Sequence, residues 1–277
     1  MSDNAFEKLG AAALGPDSYR LAFEDPAFMA RDEMRAMRLA SEYQKTELVL
    51  RDWRIESTVV FFGSARARPD HPDCAPLPPS AQCGADLPDS LYQDACAFAG
   101  RIARHGLQMF DAAGGEAAQA PRDYIVCTGG GPGLMEAANR GAFEAGAPSI
   151  GLNIDLPHEQ HPNKFVTPEL SFRFQYFALR KMHFLMRARA LAIFPGGFGT
   201  LDELFDALTL MQTGKMARIP ILMFGHDYWQ RIINFDAMVE AGTISEADRA
   251  LIHWVADGPE GGPEEGWRIF AQHEGLT

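Results

Sequence analysis

Residues 123–154, DYIVCTGGGPGLMEAANRGAFEAGAPSIGLNI, read in order as a strand, a glycine turn, a helix and a second strand. DYIVCT is a short β-branched and apolar run closed by glycine, as expected of a strand buried on both faces. GLMEAANRGAFEAGA has helical spacing, and PSIGLNI returns to a strand pattern. Two strands joined through a helix lie parallel and are connected by a right-handed crossover. The same alternation extends in both directions. Upstream, STVVFFG is a strand and SLYQDACAFAGRIARHG a helix with a glycine stop. Downstream come a helix around FALRKMHFLMRAR, a strand ALAIFPGG, a helix GTLDELFDALTLMQTG and a strand IPILMFG. Such a chain predicts an α/β fold of the Rossmann-like, doubly wound kind: a mainly parallel sheet with helices on both faces.

The expected organisation has three parts. Residues 1–56 form an N-terminal helical extension, with apolar residues at helical spacing from Pro26. Residues 57–225 form a nucleotide-binding catalytic domain interrupted at 66–89 by a loop insertion with six prolines. Residues 226–277 form a C-terminal segment of two or three helices.

At 277 residues, 47% hydrophobic and 22% charged, the chain is long enough for a sizeable core. Its net charge of −12 repels long polyanions, so nucleic acid is not an expected partner, while a small phosphate ester is compatible. Cys74, Cys83, Cys96 and Cys127 show no C-x-x-C spacing, and MSDNAFEKLG lacks the basic-then-apolar pattern of a secretory leader. Reduced thiols in a cytoplasm are the expectation. No apolar run approaches the roughly 20 residues that span a bilayer, so no membrane association is expected.

In a doubly wound sheet, ligands bind where strands run into helix N-termini. Three glycine turns stand there: GSAR at 63–66, TGGGPGLMEAA at 128–138 and PGGFGTLDE at 195–203. Glycine permits positive φ and close approach, and the following helix offers unpaired N–H groups. This makes an anion site without net charge, suited to an acidic protein. Gly63, Ser64, Gly130, Gly131 and Gly133 are candidate substrate contacts on the first two loops. Gly196, Gly197, Gly199 and Thr200 are candidates on the third.

Other phosphate chemistries fit poorly. TGGGPGL does not satisfy G-x-G-x-x-G and follows a later strand, and the G-x-x-x-x-G-K-[ST] pattern is absent. HEQH at 158–161 is not H-E-x-x-H, so no metal is expected. Glu203 has two readings. Thr200 followed by Glu203 has the spacing of a capping box, yet a cap does not require Gly196, Gly197 and Gly199 before it. Cap and catalyst stay open together.

PGGFGTLDE fits the P-G-G-x-G-T-x-x-E signature of the LONELY GUY (LOG) family, once labelled lysine decarboxylases. The Arg180–Lys181 pair, GGGPGLMEAA and GSAR match its other motifs in order, over roughly residues 57–225. The resemblance implies hydrolysis of the N-glycosidic bond of a purine-type nucleoside 5′-monophosphate, AMP or a cytokinin riboside monophosphate, to free base and ribose 5-phosphate. It implies Arg180 and Glu203 as catalytic residues and a phosphate loop at Gly196, Gly197, Gly199 and Thr200. Lys181, Thr209 and Glu159 enter as further substrate contacts, Glu159 by an alignment that needs a gap. No cofactor is implied, and a homodimer or larger homo-oligomer is. A pyridoxal phosphate decarboxylase needs a Schiff-base lysine at a strand end beside a phosphate loop, and none is placed there. The alternative within the same fold is a non-catalytic carrier of a nucleotide or of the molybdenum cofactor.

Overall fold

The computed structural model describes residues 17–67, 88–156, 161–256 and 261–276. The cysteines at 74 and 83, most of the proline-rich insertion, and the 158–159 pair lie outside the described residues. Among the described residues, those up to Lys45 form one compact unit and those from Thr46 a second. In the first, the Asp25 carboxylate caps a single helical turn, Pro26–Met29, by accepting from the Phe28 N–H at 3.0 Å.

The second unit is built on seven parallel strands, β1 (Thr58–Phe62), β2 (Ile125–Thr128), β3 (Ser149–Ile154), β4 (Ser171–Phe174), β5 (Ala188–Ile193), β6 (Ile221–Met223) and β7 (Ile252–Trp254). They are ordered β4-β3-β2-β1-β5-β6-β7. The expected doubly wound parallel sheet is therefore the observed one. The chain winds outward from β1 to β4, then returns to place β5 on the other side of β1. The switch point lies between β1 and β5.

Every residue of β1 is buried, because its side chains feed two cores in alternation. Val60 and Phe62 join one core, with Leu191, Ile193, Phe184 and Leu204. Val59 and Phe61 join the other, with Ala190, Ala192, Phe98 and Phe270. The first core is covered by α1 (Arg35–Asp52) from Thr46 onward, α4 (Phe177–Met186), α5 (Phe198–Gln212) and α6 (His226–Ile232). The second is covered by α2 (Asp89–Ala112), α3 (Leu134–Glu144) and α8 (Gly262–Glu274). α7 (Phe235–Glu240) lies between β6 and β7 in the chain.

Three sequence expectations are corrected. The helix predicted to stop at Gly106 continues to Ala112. Gly106 is there for close packing, since a Cβ would stand 2.6 Å from the Asp123 carbonyl oxygen. β4 was not expected, and the 226–277 segment, read as helices alone, also supplies β7. Both are edge strands of three or four residues.

Candidate active site

The turns after β1, β2 and β5 interlock at the switch point. The Phe194 N–H donates to Phe62 O at 2.8 Å, Ser64 N–H to Pro195 O at 2.9 Å, and Leu134 N–H to Ser64 O at 3.1 Å. Gly133, at φ +72°, lies so close to this turn that a Cβ would be 2.3 Å from Ser64 O. Gly63 is pressed between Leu134 and Phe194. Gly63 and Gly133 therefore hold the loops against each other. Gly130, at φ +70°, belongs to the same arrangement.

The turn after β5 works differently. None of Gly196, Gly197 and Gly199 has positive φ, so conformational freedom is not why they are glycine. A Cβ on Gly196 would sit 2.1 Å from Thr200 Oγ1, which lies against its backbone, whereas one on Gly197 or Gly199 would meet nothing within 4 Å. Gly197 and Gly199 face open space at the start of α5. The Tyr228 hydroxyl fixes the loop by donating to Gly196 O at 2.7 Å.

Helix α5 starts at Phe198, with Gly197 as its N-cap and no side-chain cap. The capping box expected between Thr200 and Glu203 is not formed. Thr200 is the third helical residue and Glu203 the sixth, too far inside to reach an N-cap amide. The first intrahelical bond is Leu201 N–H to Gly197 O, which leaves the amides of Phe198, Gly199 and Thr200 without an intrahelical acceptor.

Without the cap, no hydrogen bond among the described residues accounts for Glu203. It is 4% exposed, and its Oε2 is buried without a hydrogen-bond partner among the described residues. Burial pushes its pKa up to about 7, against the opposing pull of Arg180 and Lys181. Desolvation outweighs attraction, as it does for a carboxyl without hydrogen bonds.

Arg180 is fixed from two sides. Its Nε donates to Leu152 O at 2.7 Å, and its guanidinium carbon lies 4.9 Å from the Phe184 ring centroid. Burial lowers its pKa, with Glu203 and Cys127 opposing. Its Nη2 sits 2.6 Å from where a Gly129 Cβ would be. Arg180 therefore lies directly on the glycine turn after β2, within electrostatic reach of Glu203.

Lys181 is already engaged. Its Nζ is 2.8 Å from Asp202 Oδ1 and 3.9 Å from Asp206 Oδ2, which ties α4 to α5. Burial alone would lower its pKa, but Asp202, Glu203 and Asp206 outweigh that and raise it. Thr209 lies six residues beyond Glu203, about 9 Å along the helix. Its hydroxyl donates to Phe205 O at 2.7 Å, and it lines a cavity of about 180 Å³ with Phe235 and Ile252. The Glu159 assignment lies outside the described residues.

Several polar residues at the site were not found by sequence reasoning. Thr128 Oγ1 accepts from Gly130 N–H at 2.9 Å and donates to Asn139 Oδ1 at 2.7 Å. Asn163 Nδ2 donates to Gly131 O at 3.0 Å and to Asn139 Oδ1 at 2.9 Å, while its N–H reaches Gly130 O. This buried network sets the shape of the turn after β2. Asn153 lies over that turn, its Nδ2 2.5 Å from where a Gly130 Cβ would be. The one available signal was an asparagine near the end of the otherwise apolar SIGLNI run.

Three backbone amides at an uncapped helix start, beside a buried carboxyl and a guanidinium, can bind an anion and move a proton at a neighbouring atom. A family model described as "Possible lysine decarboxylase" matches residues 135–261. The cytokinin riboside 5′-monophosphate phosphoribohydrolase LOG1 of Arabidopsis thaliana is 30% identical over 171 residues, spanning 59% of this chain and 78% of that protein. Its relative LOG3 from the same plant is 28% identical, spanning 61% of this chain and 80% of its own. Among solved structures, that of TM1055 is 18% identical with a TM-score of 0.49, covering 78% of this chain and 99% of its own. The ordered glycine turns, the Arg180–Glu203 pair and the match to LOG1 lead to one assignment: the chain belongs to the LONELY GUY (LOG) family.

Proposed function

We propose that the protein hydrolyses the N-glycosidic bond of a purine-type nucleoside 5′-monophosphate, AMP or a cytokinin riboside monophosphate, releasing the base and ribose 5-phosphate. The observation that carries this reading is Glu203: a buried carboxyl whose Oε2 has no hydrogen-bond partner among the described residues, its pKa pushed by burial up to about 7, within electrostatic reach of Arg180. Burying such a group costs stability, and a structural role would have given it a partner. A carrier has no use for it.

In this reading the 5′-phosphate rests on the amides of Phe198, Gly199 and Thr200, with Gly197 and Gly199 leaving room for it. Gly63, Ser64, Gly130, Gly131 and Gly133, on the two turns packed beside this loop, enter the proposal as further substrate contacts. Anchoring the phosphate holds the ribose against Glu203, one turn further along α5. As the C1′–N bond breaks, its electron pair leaves with the base and positive charge develops on the sugar. The Glu203 carboxylate stabilises that charge and accepts a proton from the attacking water, whose oxygen bonds to C1′. The departing base takes up a proton from solvent. Arg180 supplies planar N–H donors to the phosphate or the ribose hydroxyls. Lys181, held by Asp202, and Thr209, on the cavity side of α5, enter the proposal as outer contacts.

We also propose a homodimer or larger homo-oligomer, which light scattering tests, and a cytoplasmic location. No helix among the described residues is long and apolar enough to cross a membrane. The functional test is chromatographic release of adenine from AMP by wild type and Glu203→Ala. Adenine release that depends on Glu203 supports the hydrolase. Tight AMP binding without release would favour a carrier.

A further inference from the structure

Two successive glycines in the turn after β2 are bare for the same kind of reason. At Gly129 the space of a Cβ is taken by the Arg180 guanidinium, and at Gly130 by the Asn153 carboxamide, with Nδ2 at 2.5 Å and Oδ1 at 2.8 Å from the Cβ position. The two polar heads therefore lie side by side on one turn. Arg180 is tied down by Leu152 O and the Phe184 ring. Asn153 is the next residue after Leu152 on β3 and is partly exposed. Its carboxamide has no hydrogen-bond partner among the described residues, in contrast with Asn139 and Asn163 behind it, which are fully used. Asn153 holds a free donor and a free acceptor on the face of this turn.

Position decides what the amide meets. β2 is separated from β5 by β1 alone, so the Gly130 turn is two strand spacings, about 10 Å, from the phosphate loop. A nucleoside 5′-monophosphate with its phosphate at the start of α5 is long enough to bring its base to this turn. We infer that Asn153 reads the base, pairing its carboxamide with the 6-amino group and N7 of an adenine-type purine. The proposal rests on the nucleotide reading given above and assigns the choice of 6-aminopurines over 6-oxopurines to this one residue. Chemistry sets the direction. Adenine offers a donor beside an acceptor, which a carboxamide matches with both its atoms, and a 6-oxopurine offers two acceptors, one of which must face Oδ1. An N6-substituted adenine keeps one N6–H and remains a match.

The test is calorimetric titration of AMP and of inosine 5′-monophosphate into the Glu203→Gln protein, with and without Asn153→Ala, beside turnover of both nucleotides by the Glu203-containing forms. The expected result is an AMP preference of about 10- to 100-fold that falls to near unity in Asn153→Ala. Asn153→Asp, which keeps the shape but loses the donor, should also lose the preference, with an unchanged thermal midpoint. An unchanged AMP-to-inosine-monophosphate ratio in Asn153→Ala would overturn the inference, as would failure of both nucleotides to bind. A lower thermal midpoint with the ratio intact would make Asn153 a packing residue of the turn. Selective AMP binding without turnover would sink the hydrolase and leave base recognition standing. Turnover of both nucleotides with an Asn153-independent ratio would do the reverse.

Discussion

Replacing Gly199 by alanine should make the protein more stable and a poorer enzyme. Gly199 is the second residue of α5, its φ is not positive, and a Cβ there would touch nothing within 4 Å. Alanine therefore fits the folded backbone, favours the helix and restricts the unfolded chain. The gain should be about 0.5–1 kcal/mol, or roughly 1–4 °C in Tm for a chain of this size. The same methyl group would stand over the uncapped amides of Phe198, Gly199 and Thr200. Displacing a phosphate from two of them forfeits charge-assisted hydrogen bonds of about 1.5–3 kcal/mol each, so kcat/KM for AMP should fall by at least about 10²-fold. Gly196→Ala is the internal contrast. Its Cβ would lie 2.1 Å from Thr200 Oγ1, and the forced shift should cost about 1–3 kcal/mol. Scanning calorimetry and steady-state kinetics on the three proteins read both quantities. A Gly199→Ala protein that is stabilised and equally active would refute the assignment of the start of α5 to the phosphate.

Further predictions follow from the site residues. Because the Glu203 pKa stands near 7, above its ordinary value of 4.5, its action as a base predicts kcat/KM rising with pH and levelling above about 7, a limb that Glu203→Gln should abolish. The same shift means that the native state keeps a proton the unfolded chain has lost. Stability attributable to Glu203 is full below pH ~4.5 and is lost as pH rises through 7, by about 3 kcal/mol at most. Denaturation of Glu203→Gln should therefore reveal stabilisation relative to wild type near pH ~8 that vanishes near ~4.5. Arg180→Lys cannot keep both the bond to Leu152 O and the broad contact with the Phe184 ring, and kcat/KM should drop about 10²-fold. Asn163→Ala removes partners from Gly131 O and Asn139 Oδ1, costing about 1–3 kcal/mol in urea unfolding.

The sheet was readable wherever strands are buried on both faces, as in TVVFF, IVCT and ALAI, because a buried parallel strand leaves a continuous apolar run. β4 and β7 left no such run. SFRF and IHW are edge segments whose identity as strands depends on a neighbour brought from elsewhere in the chain. Gly106 resembles a helix stop only until the Asp123 carbonyl is seen against it. At the site, Arg180 and Glu203 stood out through motif and residue chemistry. The energetics of Glu203 did not, since desolvation depends on what the fold packs around it. Its apparent cap failed because local spacing marks helix starts only approximately, and α5 starts two residues before Thr200. Asn153, Asn163 and Tyr228 were hidden for a topological reason. Each meets a glycine turn that lies at least 20 residues away in sequence.

The central claim, that Glu203 cleaves a nucleotide at its glycosidic bond, is tested most directly by product analysis of AMP incubated with wild type and Glu203→Gln. The account predicts adenine and ribose 5-phosphate in equal amounts from wild type, and a rate lowered by at least about 10²-fold in the variant. Adenosine and phosphate as products, or adenine release undiminished by Glu203→Gln, would contradict it.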